Sequence, residues 1–348
     1  EVVRRGVSTF KLVQEAWSKG DMTPVCHLLS DGVYERFQTL LAMNKADGKF
    51  NRVSGVSVSD QELAHEGRDG GWDRVDLRLT AGCVDEYFDA AGRKVKGGQT
   101  WFTEYWGFLR RAGAKERTPD APDLSCPNCG QAVSVNRTAV CPHCKSWLNS
   151  GEHDWVLAEI TQQDEWSIWE AQAHGEALGA LRRGDPELCA QEFEARASAL
   201  FWRWQACLVE RSPARLAGVS GPGLLEALKA SGVGSRRYAD VGVGGVSIRS
   251  ATENDGLQSV RVSVKWRGRR IAGSAVGYEE SRLRHTHLTF SRKAGVRTQA
   301  RASLRSLHCA GCGAAQEPAQ PLCAQCGGAF NDPAQGWVLT GLETRDEA

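Results

Sequence analysis

Hydrophobic positions along the chain change period in the same order in each half. Near the start Phe10, Val13 and Trp17 recur at i, i+3 and i+7, the spacing of one helix face, and Lys19-Gly20 ends the run. Thr23-Pro24 and Asp31-Gly32 then offer N-caps for two further helices. From Arg74 the period falls to two. Val75, Leu77, Leu79, Ala81 and Cys83 point one way and Arg74, Asp76 and Arg78 the other, as in a half-buried antiparallel strand. Val260, Val262, Val264 and Trp266 repeat that alternation in the second half. Trp101 to Leu109 is aromatic on both faces, which suits a central strand of a curved sheet that also touches a helix or a partner. Trp155-Val-Leu-Ala-Glu-Ile160 reads as a returning strand. Between the halves Trp166, Trp169, Leu178 and Leu181 suit a connecting helix, and Asp185-Pro186 starts another that runs through Phe201-Trp-Arg-Trp204. Helices followed by antiparallel strands make an α+β order, with the helices expected over one concave sheet face.

Eight of the 12 cysteines fall into two quartets, Cys126-Pro-Asn-Cys129 with Cys141-Pro-His-Cys144 and Cys309-Ala-Gly-Cys312 with Cys323-Ala-Gln-Cys326. Two residues between cysteines let one turn aim both sulfurs at a single ion, and a second such knuckle a few residues on completes a tetrahedral shell. The spacing predicts two structural Zn2+ sites, because four cysteines leave no open position for chemistry. Gly130, Gly313 and Gly327, directly after a cysteine, permit the positive φ that lets backbone N–H groups approach the sulfurs. His143 and His308, in and beside the knuckles, read as surface residues, and Cys83 and Cys207 as inert buried thiols. Disulfides would need an oxidising compartment, which the four scattered cysteines Cys26, Cys83, Cys189 and Cys207 argue against.

A repeat lies behind the quartets. Cys144 to Trp155 and Cys326 to Trp337 are both 11 residues, and Phe108 to Gly113 faces Phe290 to Gly295 at an offset of 182. Each half therefore carries helices, strands, a zinc-ribbon hairpin and a last strand. The expected bounds are a first domain at 1–162 with its ribbon at 124–147, an acidic helical linker at 163–186, and a diverged second domain at 187–345 with its ribbon at 307–329.

The stretches Leu12-Val-Gln-Glu-Ala-Trp-Ser-Lys-Gly-Asp21, Leu28-Leu-Ser-Asp-Gly-Val-Tyr-Glu-Arg-Phe37 and Phe102-Thr-Glu-Tyr-Trp-Gly-Phe108 resemble the Tim44-like domain family, over residues 1–160. The second copy is related mainly through the internal repeat, since Val219-Ser-Gly-Pro-Gly-Leu224 stands where Leu29-Ser-Asp-Gly-Val-Tyr34 would be. The resemblance implies two tandem cone-like domains akin to nuclear transport factor two, a pocket between curved sheet and helices, and scaffolding at an anionic inner-membrane surface. It places a bacterial member at the cytoplasmic side of the inner membrane, peripheral or tethered by a segment upstream of Glu1. The zinc ribbons depart from the mitochondrial pattern, so chaperone-linked import is not carried over.

The chain of 348 residues fits two units, and 41% hydrophobic with 24% charged residues excludes wholesale disorder. It begins with Glu1, as a processed product, an expressed fragment or part of a longer protein does, and no apolar run is long enough for a membrane span or a signal peptide. Its 43 Lys+Arg and 42 Asp+Glu nearly cancel, but not locally. Residues 151–200 hold 11 acidic against 3 basic residues and residues 231–310 hold 15 basic against 5 acidic. Arg261, Lys265, Arg267, Arg269 and Arg270 concentrate the positive end. Such a patch fits anionic lipid or a protein partner. It fits equally a solvated face paired with acids of the same chain, and less well nucleic acid, for which the interleaved stacking aromatics are missing. An apolar ligand in the concave sheet is a further expected partner. An enzyme reading rests on His65, Asp76, Glu104 and Tyr105, which no spacing links, and Gly242-Val-Gly-Gly245 reads as a flexible turn. The favoured reading is a non-enzymatic binding scaffold.

Overall fold

The computed structural model describes residues 2–114, 125–126, 128–132, 139–163, 166, 177–233, 237–272, 277–278 and 282–346. The first half opens with α1 (Val2–Lys19), a 3-10 turn (Thr23–Leu28) and α2 (Asp31–Ala46). An antiparallel sheet follows in the order β1 (Lys49–Asp69), β2 (Trp72–Asp89), β3 (Lys94–Arg111) and β4 (Val156–Gln162). The second half repeats the plan with α3 (Ala190–Glu210) and α4 (Pro222–Ala230). Its sheet runs β5 (Arg237–Asn254), β6 (Leu257–Ala272), β8 (Arg282–Lys293) and β9 (Val338–Asp346), and β7 (Gly277–Tyr278) lies beside β6. The architecture is the α+β one expected, and each cysteine quartet lies in the connection before a last strand. In both halves the residue two before the second helix forms a parallel bridge to that strand, Leu29 to Leu157 and Ser220 to Leu339. Leu157 and Leu339 are again 182 apart.

Helix α1 forms where the sequence periodicity puts it, and Gly20 at φ +71° stops it. Its face buries Phe10 and Val13 against Val75, Leu77, Leu79, Trp106 and Phe108, all at most 2% exposed. Each such side chain contributes about 1.5–3 kcal/mol of burial. A Cβ on Gly6 would sit 2.2 Å from Leu77 Cδ1, so a larger residue there would make the Leu77 side chain or α1 shift. α1 thus fills the aromatic side of the first sheet, where an apolar ligand was expected.

Four local expectations change. Ser30, not Asp31, caps α2, its Oγ accepting from Val33 N at 3.3 Å. Thr23-Pro24 opens only the 3-10 turn, with Asp21 Oδ1 accepting from Thr23 N. Asp185-Pro186 does not begin α3. That helix starts at Ala190, whose N–H donates to Asp69 Oδ2 at 2.6 Å across from the β1–β2 turn, while Asp185 accepts from Arg292 and Thr298. Gly242 to Gly245 is no turn but the interior of β5, where shifts of register mark bulges. Of the connecting helix, the turn Gly179–Arg182 is described and Trp169 lies outside the described residues.

The largest departure is on the far face of the first sheet. Alternation predicts Arg74 and Asp76 in solvent, yet they are 8% and 2% exposed. Trp72, Leu109, Val156 and Ala158 on that face pack with Cys189 and Leu304 from the second half. The sheet is therefore covered on both sides, and α3 is buried on nearly every side, Gln191, Glu192, Glu194, Arg203 and Gln205 included.

Candidate metal centres and the seam between the halves

All four cysteine knuckles share one local geometry. The first cysteine's carbonyl accepts from an N–H four residues on, from Gly130 at 2.9 Å, Lys145 at 3.0 Å, Gly313 at 2.7 Å and Gly327 at 2.8 Å. All four donors have positive φ, between 64° and 75°. Three are the glycines expected; Lys145 adopts the left-handed conformation without that freedom. Short bridges close the turns, Ser125 to Ala132, Val140 to Trp147, His308 to Ala315 and Leu322 to Ala329.

The turns bring the sulfurs together. Within each quartet all Sγ atoms lie within 4.8 Å of one another, with Cys126–Cys144 at 3.6 Å, Cys129–Cys141 at 3.9 Å, Cys309–Cys326 at 3.5 Å and Cys312–Cys323 at 3.6 Å. A tetrahedral ion about 2.3 Å from each sulfur requires edges of about 3.8 Å, so both groups can hold a metal ion. Disulfides are about 2.05 Å long, which excludes S–S bonds here. Ser146, with help from Asn128, pulls the Cys144 thiol down to about 5, whereas burial pushes Cys126 up to about 12. Cys83 and Cys207 are buried thiols held above their usual range by burial, as expected.

The second quartet lies on a seam between the halves. Asp31 opens α2 with its carboxylate inside: Oδ2 accepts from Leu307 N at 2.6 Å and meets His308 Nδ1 at 2.9 Å, while Oδ1 lies 3.2 Å from Arg305. Burial alone would raise the Asp31 pKa, but Arg305 and then His308 hold it well below the usual carboxylate range. His308 is therefore not the surface residue expected, although it is no ligand; His143 is exposed. Arg203 of α3 donates to Gln316 at 2.8 Å, and Ala139 N of the first ribbon donates to Gly313 O of the second at 2.7 Å. A Cβ on Gly313 would meet Val140 Cγ2 at 2.3 Å, so the two ribbons touch through this glycine.

The five basic residues are only partly gathered. Arg261, Lys265, Arg267 and Arg269 share the outer face of β6, opposite Val260, Val262, Val264 and Trp266; Arg270 falls on the other face by alternation. Arg261 lies 3.6 Å from Glu343 of β9, and Arg269 pairs with Asp240 of β5, which also binds Lys96. The acids that temper the patch thus come from neighbouring strands.

The enzyme candidates do not converge. His65 Nδ1 meets Asp76 Oδ2 at 3.0 Å, with Arg74 bidentate on the same carboxylate. Glu104, opposite Leu79 in the register, is on the other sheet face and accepts from Trp106 and Gln162. Tyr105 stacks on Trp166, ring centroids 4.2 Å apart.

Sequence reasoning missed Asp31, Arg305 and Arg203 as seam residues, and missed Glu159 and Glu194, an acid pair beside Arg74. Burial first, then the Glu194 charge, raises Glu159 well above the usual carboxylate range. A carboxyl whose folded pKa is raised favours folding below its unfolded value, and that contribution is lost as pH rises through the folded value. Glu159→Gln should accordingly stabilise the protein at pH 8 by on the order of 1 kcal/mol, with no gain near pH 4. Denaturant unfolding at the two pH values checks this; an equal effect at both would show that the pair does not share a proton.

Residues 7–120 match the family model of the Tim44-like domain, about a third of the chain. No curated protein and no solved structure matches. Among the described residues, no helix is long and apolar enough to cross a membrane.

Proposed function

We propose, taking the Tim44-like match over residues 7–120 as premise, that this chain is a non-enzymatic binding scaffold built of two such units, each stapled by one structural zinc ion. The proposed bounds are 1–162 and 187–345, joined by the linker at 163–186. The observation that carries the reading is the repeated plan, in which a second sheet follows the strand order of the first and a second cysteine quartet occupies the same connection. Zinc is the ion of choice for four thiolates at tetrahedral spacing, and a filled shell serves stability. The separation of His65 and Asp76 from Glu104 by the thickness of the sheet speaks for binding over catalysis.

The surface this scaffold engages is anionic, lipid headgroups first, through Arg261, Lys265 and Arg267 on β6. That reading places the protein peripherally at the cytoplasmic side of a bacterial inner membrane. Each basic residue near such a surface contributes about 1 kcal/mol, so the trio replaced by Gln should weaken binding tenfold or more. Co-sedimentation of zinc-assayed protein with anionic and neutral vesicles, at low and moderate salt, is the test. Salt-sensitive binding to anionic vesicles that the variant loses supports the reading; equal binding by the variant excludes this face.

A further inference from the structure

The two ribbons meet at their metal turns. Ala139 and Val140 lead straight into Cys141, and Gly313 directly follows Cys312. Backbone hydrogen bonds run through these residues from one turn to the other. Gly313 N donates to Cys309 O at 2.7 Å and so closes its own knuckle, while Gly313 O accepts from Ala139 N at 2.7 Å. Ala139 O in turn accepts from Leu148 N at 2.7 Å, which closes the hairpin around Cys141 and Cys144. Side chains seal the same contact. Ala139 and Trp147 pack with Ala302 from the turn before the second ribbon, and Val140 and Ala310 lie against them. Ala310 stands between Cys309 and Gly311, inside a knuckle of the second ribbon. Every residue of the contact except Ala302 thus lies within or beside a metal turn.

On the zinc reading above, ribbons this short fold with their ions, so that binding an ion and ordering its turn are one process. The Gly313 carbonyl is then held in place for Ala139 N only while the second quartet is filled. The surface of Val140 and Trp147 is likewise held for Gly313 and Ala310 only while the first is filled. Each ion therefore orders groups that the other ribbon contacts in its folded form. We propose, resting on that zinc reading, that the two metal sites are coupled, an ion in either quartet raising the affinity of the other. Coupling between two sites commonly amounts to about 5–150-fold in affinity and acts equally in both directions. One backbone hydrogen bond and a small apolar seal place this pair at about tenfold. When zinc is scarce, chains with two ions or none are favoured over chains with one, and the contact between the ribbons forms or fails as a unit.

Native mass spectrometry of the full reduced chain, titrated with Zn2+, counts chains that carry no, one and two ions. Independent sites leave at least about half of the chains with one ion at half-saturation, and coupling lowers that share. Val140→Ala trims the contact but keeps all eight ligands, so it should raise the one-ion share at least about twofold. Competition with a chelator for Zn2+ measures the coupling itself. Emptying the second quartet by Cys309→Ser with Cys312→Ser should weaken the first site about tenfold, and emptying the first by Cys126→Ser with Cys129→Ser should weaken the second by the same factor. Adding Val140→Ala to either pair should change the remaining site little further, because the contact is already lost. Two ions that bind independently, with the one-ion share unmoved by Val140→Ala, overturn the coupling and leave the zinc reading standing. A chain that takes up no Zn2+ overturns both.

Discussion

Cys309→Ser should remove one of two zinc equivalents and lower the melting temperature by about 10 °C or more. The second ribbon has little core of its own: Leu307, Cys309 and Cys323 are its buried apolar residues between 307 and 329. On the proposed zinc reading a segment that small is held by the ion, whose binding energy is then its folding energy. The loss also spreads. Leu307 N, His308 and Arg305 all meet Asp31, and Gly313 O receives Ala139 N, so a loosened ribbon unpins both α2 and the first ribbon. A cost of about 3–5 kcal/mol, typical when a buried charge loses its partners, corresponds to a shift of that size at about 2–4 °C per kcal/mol. Metal analysis together with a thermal melt reads both numbers. One equivalent lost with an unchanged melting temperature would mean that the ion is not structural.

Asp31→Ala is the second large effect, expected at about 3–5 kcal/mol with both zinc ions retained. It strands the Arg305 guanidinium, whose side chain is 4% exposed, and leaves Leu307 N–H without its acceptor. Ser30→Ala, one residue earlier, removes an ordinary helix cap and should cost about 1 kcal/mol. The contrast separates the two roles, because a mere capping residue at 31 would lose no more than its neighbour does. A double-mutant cycle of Asp31→Ala with Arg305→Ala isolates the pair, and coupling near zero would locate the cost elsewhere.

Residues 10, 13 and 17, the alternation at 75–83 and 260–266, and the four C-x-x-C turns act over a few residues each. Their structural outcome, helix, strand or knuckle, depends on local periodicity and on φ-permissive positions, and so it was legible from the chain alone. So was the repeat, since two segments of one pattern fold to one plan. The bulges at Gly242 to Gly245 were not, because glycines serve a turn and a bulged strand equally well. Asp31 was misread for a related reason. A polar residue before an apolar run signals a cap, and Ser30 beside it carries the same signal.

What the sequence by itself determined is therefore the α+β class, the strand faces toward each core and the grouping of eight cysteines into two quartets. Only the tertiary structure decided that the far face of the first sheet is buried, with Arg74 and Asp76 inside it, and that Arg261 and Arg269 are tempered by Glu343 and Asp240. It alone joined Asp31 to residues 305–308. The burial of Arg74 and Asp76 and the contacts of Asp31 depend on residues more than a hundred positions apart meeting across the seam. A charged residue bound for such a seam carries the same local pattern as one facing water, and the difference lies in what the rest of the chain brings to it.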